Sequence, residues 1–77
     1  MQEFFVKLSS FDDVRAFVVL ATTQPFEVYA QAPSMRVSAK SFMGMSSLDC
    51  REPVQVVGDC SQEAWEEFRR AASRFLV

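Results

Sequence analysis

The side chains in this chain that could do chemistry are serine hydroxyls, cysteine thiols and carboxylates, because the sequence contains no histidine. Ser41 has the most suggestive setting, since Lys40 precedes it and a short apolar run follows it. A serine that opens a helix accepts a hydrogen bond from a backbone N–H two or three residues later. A phosphoryl group on the same hydroxyl would meet the free N–H groups of that helix. Ser41 is therefore either a helix cap only or a cap that is also a phosphorylation site.

The two cysteines, Cys50 and Cys60, predict free thiols rather than a disulfide or a metal site. A strand is expected over residues 54 to 57, and it would separate their Cα atoms by more than the ~7 Å that a disulfide spans. Two cysteines without histidine do not complete a tetrahedral zinc shell. No pairing of a nucleophile with a base is visible either. We therefore expect no metal, no cofactor and no enzymatic activity.

The residues after Ser41 divide into an inward and an outward set. Met45 and Leu48 are three positions apart, so they point to the same side of a short helix and are expected in the core. Phe42 and Met43 then lie on another side. We expect them to be exposed as a docking surface, although large apolar residues more commonly pack in a core.

Length and composition limit the remaining possibilities. The chain has 77 residues, of which 49% are hydrophobic, so residues 1 to 77 are expected to form one domain around one core. The longest apolar run, Ala16 to Ala21, is far shorter than the ~20 residues that cross a bilayer, and no secretory signal is visible. The net charge is −2 with dispersed cations, which argues against nucleic acid as a partner. The expected location is the cytoplasm.

Apolar periodicity predicts four strands and three helices in the order βαββαβα. Strands are expected over residues 2 to 8, 26 to 31, 35 to 39 and 54 to 58. Helices are expected from Phe11 to Thr22 or Thr23, from the Ser41 cap to near Asp49, and from about Gln62 to Phe75. Each element has one apolar face, so the pattern favours a two-layer α+β sandwich with the helices on one face of an antiparallel sheet.

Several positions are assigned to a face by this periodicity. Met35, Val37 and Ala39 should point inward from the third strand, and the stripe of the last helix should comprise Ala64, Phe68, Ala71 and Phe75, with Trp65 and Leu76 beside it. The outer, solvent-facing side of the sheet should carry the side chains of Phe5 and Tyr29, and that of Val57 as a third apolar residue. If these side chains are adjacent, they form a patch suited to a homodimer.

The segment from Ala39 to Leu48, which reads AKSFMGMSSL, resembles the central serine-helix segment of HPr, the phosphocarrier family of the bacterial sugar phosphotransferase system. The order of elements is similar over nearly the whole chain. The resemblance implies a sheet order of 1-4-2-3. It also matches Ser41 to the serine that a dedicated ATP-dependent kinase phosphorylates in many Gram-positive members, and Phe42 and Met43 to exposed partner contacts. Ser46 stands where the family usually has methionine.

The histidine that gives the family its phosphocarrier activity has no counterpart. The resemblance places Ser10 at the histidine position, Asp12 at the position of a phosphate-binding arginine, and Asp13 at that of a proline. At ~5 Å and an effective dielectric constant of about 20, each carboxylate would oppose a phosphate by on the order of 3 kcal/mol before screening. Ser10 is therefore a degenerate phosphohistidine position, and it is interpreted mainly as the N-cap of the first helix.

The leading hypothesis is a histidine-less, non-catalytic HPr-like regulatory protein, similar to the catabolite-repression homologues of that family. It would bind a protein partner, namely a regulator, a kinase or a phosphotransferase component, through the helix from Ser41 to Leu48. The expected contacts are Lys40, Phe42, Met43 and Ser46, and phosphorylation of Ser41 would control them. Two alternatives remain: a phosphocarrier of the sugar phosphotransferase system, and a structural module that self-associates through the outer sheet face.

Overall fold

The strands and helices follow the predicted order, βαββαβα. The computed structural model describes all residues from 1 to 77. Its elements are β1 (Gln2–Val6), α1 (Phe11–Thr22), β2 (Val28–Ala32), β3 (Met35–Ser38), α2 (Phe42–Ser46), β4 (Val54–Gly58) and α3 (Gln62–Ala71), followed by a 3-10 turn, Ser73–Phe75. No helix is both long enough and apolar enough to cross a bilayer.

The four strands form one antiparallel sheet in the order β1-β4-β2-β3. Strand β4 is central, because Val56 lies opposite Phe4 of β1 on one side and Ala30 of β2 on the other. A two-residue turn, Pro33 and Ser34, joins β2 to β3 so that Ala32 faces Met35. The α+β fold class and the 1-4-2-3 order that the resemblance implied are both confirmed.

The core lies between the sheet and the helices. It contains the inward residues of the strands and the apolar stripe of α1, which comprises Val14, Phe17, Val18 and Ala21. Trp65 and Phe68 of α3 pack against Phe4, with ring centroids 5.0 and 5.4 Å from the Phe4 ring. Trp65 was expected to widen the buried face of α3, and it is buried in contact with Phe4, Phe26 and Phe68.

The structure corrects the expected exposure of three residues. Met35 is exposed rather than inward, because it follows the hairpin turn at the end of the sheet. Ala71 is exposed and Ala72 is fully buried, because α3 ends at Ala71 and the following 3-10 turn shifts the apolar stripe by one residue. Val57 points to the outer face but is buried there.

The predicted bounds need smaller corrections. Strand β1 ends at Val6, β2 is displaced toward the hairpin, and β3 ends at Ser38. Helix α2 is a single turn that ends at Ser46, three residues before the expected end, and α3 gives way to a 3-10 turn. The bounds of α1 and β4 are as predicted, because each is limited by strong local signals: a serine cap, a proline step or a glycine.

The outer face of the sheet is polar across most of its width. The Gln31 side-chain amide donates to Gln55 Oε1 at 3.0 Å, and the Gln55 amide donates to a carboxylate oxygen of Glu3. The Arg36 guanidinium lies 4.3 Å from the centroid of the Tyr29 ring. Phe5, which is 46% exposed, is the one large exposed apolar side chain among these strand residues. The face therefore offers less apolar surface for a homodimer than the alternation of β1, β2 and β4 suggested.

Candidate functional site

Ser41 is the N-cap of α2, as predicted. Its backbone is extended (φ −100°, ψ 113°), its Oγ accepts a hydrogen bond from Gly44 N at 3.1 Å, and its carbonyl accepts one from Met45 N at 2.9 Å. Ser41 is exposed to solvent. The serine hydroxyl is therefore at the surface, at the start of a helix of one turn.

Gly44 allows α2 to lie close to strand β3. A Cβ atom at this position would be 3.1 Å from Val37 Cβ and 3.3 Å from Ser41 Oγ. On the other side of the turn, Ser46 Oγ donates to the Phe42 carbonyl and Ser47 Oγ donates to the Gly44 carbonyl at 2.7 Å. These contacts hold a turn that is too short to be stable on its own.

Phe42 and Met43 are at the surface, while Met45 and Leu48 are buried in the core. The exposed fractions of Phe42 and Met43 are 37% and 83%. The spacing argument that placed Met45 and Leu48 inward is confirmed by this burial. Two large apolar side chains are therefore presented to solvent immediately after Ser41.

A third aromatic residue, Phe11, extends this exposed apolar surface, and the sequence analysis did not assign it to the site. Its ring meets the Phe42 ring edge to face, with centroids 5.2 Å apart and planes at 89°. Phe11 is 63% exposed at the first position of α1. The sequence signal for its exposure is that Phe11 lies outside the apolar stripe of α1, where a phenylalanine side chain cannot pack into the core. We call Phe11, Phe42 and Met43 the docking surface.

Lys40 does not reach toward the Ser41 hydroxyl. Its ammonium group donates to the carbonyl of Gln24, at a distance of 2.8 Å, just after the end of α1. Its backbone N–H donates to Ser38 Oγ at 3.2 Å. Lys40 therefore connects the end of α1 to the start of α2.

Ser10 is the N-cap of α1, as predicted, and its neighbours complete the cap. Ser10 Oγ accepts from Asp13 N at 3.2 Å, and Asp13 Oδ2 accepts from Ser9 N at 3.0 Å. Asp12 is exposed in the same first turn. Carboxylates are favoured at this end of a helix by its dipole. Ser10, which the resemblance matched to the phosphohistidine position, therefore belongs to a complete helix cap.

A groove of about 560 Å³ lies beside the docking surface, between the start of α1, α2 and the loop that precedes β4. Its floor consists of four buried apolar side chains, namely Leu8, Val14, Met45 and Leu48. Phe11 forms part of its wall, and Ser10, Ser46 and Cys50 also line it. Ser41 is not in the lining, so the groove and the serine cap are adjacent but separate features.

Two cations, Lys7 and Arg51, line the groove. The Lys7 ammonium donates to the carbonyls of Cys50 and Arg51 at 3.1 and 2.6 Å. The Arg51 guanidinium forms a two-point ion pair with the Asp49 carboxylate, with N–O distances of 2.8 and 3.0 Å. These hydrogen bonds lower the pKa of Asp49 to about 2.

Neither cysteine is placed for thiolate chemistry. Burial, reinforced by the Asp49 carboxylate, raises the pKa of the Cys50 thiol. Desolvation and the Asp59 carboxylate raise that of Cys60. Both thiols are free, in agreement with the sequence analysis. No cluster of three or more cysteine and acidic side chains is assembled around a common point.

Comparison with known proteins identifies the fold. No family model and no curated protein sequence matches the chain. Among solved structures, HPr-C-His from Thermoanaerobacter tengcongensis superimposes with a TM-score of 0.74 at 20% identity, over 95% of this chain and 92% of that one. The catabolite repression protein Crh of Bacillus subtilis, described as a swapped, intertwined dimer, gives a TM-score of 0.65 at 23% identity, over 95% and 87%. The architecture is therefore the HPr fold.

Proposed function

We propose that this chain is a non-catalytic regulatory protein with the HPr fold, which binds a partner protein through the segment from Ser41 to Leu48 and is controlled by phosphorylation of Ser41. The observation that carries the proposal is the position of an exposed serine cap directly beside an exposed apolar surface. A kinase that uses ATP would act on it in the cytoplasm. The docking surface and the serine are considered in turn below.

The docking surface has the composition of an interface centre. Aromatic residues and methionine are enriched at protein interfaces, and Phe11, Phe42 and Met43 are all exposed. The edge-to-face contact places the rings of Phe11 and Phe42 side by side at the surface, so together they form a continuous apolar contact area. Ser46, one turn after Phe42, and Lys40 supply polar groups at the edge. The partner would cover this apolar centre and contact the polar edge.

Phosphorylation of Ser41 would change the charge at the edge of this surface. A phosphoserine carries about −1.5 to −2 charges at neutral pH and can accept bonds from backbone N–H groups, as Ser41 Oγ does from Gly44 N. The apolar centre would remain in place. A partner with arginine or lysine opposite Ser41 would bind more tightly, and a partner with a carboxylate there would bind more weakly.

The phosphorylation is tested by incubating the purified protein with the HPr serine kinase and ATP. We expect the mass to rise by one phosphoryl group in the wild type and in Ser47→Ala, a neighbouring exposed serine that serves as the control. The mass of Ser41→Ala should not change. An unmodified wild type, or a Ser41→Ala protein that still gains the group, would contradict the proposed control.

The docking role is tested by affinity capture from an extract of the source cells, with matched surface variants. Met43→Ser removes the most exposed residue of the docking surface, and Val19→Ser makes a comparable change at an exposed position on α1. We expect Met43→Ser to lose a partner that the wild type and Val19→Ser both retain, and Ser41→Asp to alter the amount captured. Identical captures by Met43→Ser and Val19→Ser would reject this surface as the binding site.

A further inference from the structure

The C-terminal end of α1 is stabilised by a cation from outside the helix. The last turn of α1 contains no basic residue. The Lys40 ammonium instead donates to the carbonyl of Gln24, one residue after the C-cap Thr23, at 2.8 Å. Carbonyl groups at this end of a helix lack intrahelical donors, and the helix dipole favours a positive charge beside them. Lys40 therefore supplies the cation at the end of α1.

The backbone of Lys40, which immediately precedes Ser41, is fixed on both sides. Lys40 N donates to Ser38 Oγ at 3.2 Å, and Ser41 N donates to the Ser38 carbonyl at 3.1 Å. On the other side, Ala39 N donates to the Val28 carbonyl of β2 at 2.8 Å. The Lys40 side chain, by contrast, is a flexible stem whose ammonium forms no ion pair. A new charge beside it can therefore move the ammonium without moving the backbone.

Phosphorylation of Ser41 would place such a charge within reach of Lys40. The kinase transfers the γ-phosphoryl group of ATP to Ser41 Oγ and releases ADP and the hydroxyl proton, which leaves about −1.5 to −2 charges on the side chain at neutral pH. The Cα atoms of neighbouring residues are about 3.8 Å apart, and a lysine side chain is long enough to bridge that separation. Coulomb attraction draws an ammonium to a phosphate more strongly than to a neutral carbonyl. The Gln24 carbonyl would then lose its donor.

We propose that Lys40 is an electrostatic relay: phosphorylation of Ser41 draws its ammonium away from the Gln24 carbonyl and loosens the last turn of α1. The inference rests on the phosphorylation proposed above and deepens it by naming a second place where the modification acts. That place is the end of α1 opposite Phe11, 16 residues before Lys40 in the chain. The modification therefore changes the turn between α1 and β2 as well as the charge beside the docking surface.

The experiment is amide hydrogen exchange, measured by NMR on the full chain labelled with ¹⁵N. Phosphoserine is encoded genetically at position 41, so that the result does not depend on the kinase. The N–H groups of Thr23 and Gln24 bond to carbonyls of the last turn of α1. We expect their exchange to quicken about threefold to tenfold on phosphorylation, the factor that corresponds to the loss of one hydrogen bond. Exchange of the Gly44 amide, which faces the modified oxygen, should not quicken.

Variants separate the relay from general charge effects. In Lys40→Met the amides of Thr23 and Gln24 should exchange quickly with or without phosphoserine, because the donor is absent in both forms. Arg15→Met, which removes an exposed cation from α1 itself, should keep the response. Unchanged exchange on phosphorylation of the wild type, or a response that survives Lys40→Met, would overturn the relay.

The relay and the proposed phosphorylation can fail separately. If the kinase does not label Ser41 but encoded phosphoserine quickens exchange at Gln24, the control by that kinase is rejected and the relay stands. If the kinase labels Ser41 and exchange at Gln24 is unchanged, the relay alone is rejected.

Discussion

At the residue scale, the two serine caps show how similar residues take different roles. Ser10 and Ser41 each accept a hydrogen bond from the N–H three residues later. The turn after Ser10 contains Asp12 and Asp13, and the Asp13 carboxylate completes the cap by accepting from Ser9 N, whereas no acidic residue follows Ser41 in the first turn of α2. A negative charge is disfavoured near the first serine and tolerated near the second. The surroundings, rather than the hydroxyl, decide which serine could be modified.

Ser10 is predicted to be a structural residue only. Ser10→Ala should lower the free energy of unfolding by about 1 kcal/mol, the usual value of an N-cap side chain, because Asp13 N loses its acceptor. Ser9→Ala should have little effect, because Ser9 contributes a backbone N–H to the cap. Urea denaturation measures both. Incubation with phosphoenolpyruvate and enzyme I should label neither protein nor the wild type, and labelling that depends on Ser10 would restore the phosphocarrier alternative.

The Asp49 carboxylate should titrate with a midpoint of about 2, below its ordinary value of 3.8, because of its hydrogen bonds from Arg51. A pKa that is lowered by folding contributes stability above pH 3.8, and that contribution is lost as the pH falls toward 2. The titration can be followed by carboxyl ¹³C NMR. Arg51→Met should return the midpoint toward the ordinary value, and an unchanged midpoint in that variant would show that another group lowers it.

At the element scale, two glycines allow a helix to pack closely against a strand of the sheet. Gly58 ends β4 against Trp65 of α3, and a Cβ atom there would lie 2.5 Å from Trp65 Cζ3 and 3.3 Å from the Glu27 carbonyl oxygen. A Cβ atom at Gly44 of α2 would be less crowded, because its nearest neighbour, Val37 Cβ, would be 3.1 Å away. Both glycines set how closely a helix approaches a strand, but only Gly58 faces a buried indole ring.

Gly58→Ala is therefore expected to destabilise the protein by about 1 to 3 kcal/mol, the cost of inserting a methyl group into a packed site. Gly44→Ala should cost less, because the gain in helix propensity of up to about 1 kcal/mol offsets the tighter contact with Val37. Chemical denaturation of the two variants gives the comparison. Equal losses, or a stable Gly58→Ala protein, would show that Trp65 moves easily.

At the scale of the whole molecule, the two edges of the sheet differ. The last residues cover the edge of β1, since Lys7 N donates to the Phe75 carbonyl at 2.8 Å and Val77 N donates to the Phe5 carbonyl at 3.2 Å. Strand β3 forms the other edge, which consists of four residues beside α2. Covered or short edges disfavour pairing between sheets.

The oligomeric state follows from these edges and from the polar outer face. We expect sedimentation at micromolar concentration to show a monomer. The outer face of the sheet has one large exposed apolar side chain, Phe5, and the neighbouring Gln31, Gln55 and Glu3 side chains are hydrogen-bonded to one another. A dimer that Phe5→Ser converts to monomer would instead support the self-associating module. A dimer insensitive to that change would point to another surface.

The sequence by itself determined the features that depend on neighbours along the chain. The bounds of α1 and β4, the caps at Ser10 and Ser41, and the inward direction of Met45 and Leu48 follow from local periodicity and capping chemistry. The fold class followed because one apolar face on each element leaves few ways to pack them.

The tertiary structure decided the features that depend on residues distant in sequence. It exposed Met35, buried Val57 and placed Ala72 rather than Ala71 in the core. It also joined Phe11 to Phe42 and formed the open groove between segments about 40 residues apart. No periodicity encodes such contacts, because they arise only when the helices close over the sheet and fix the distance between their ends.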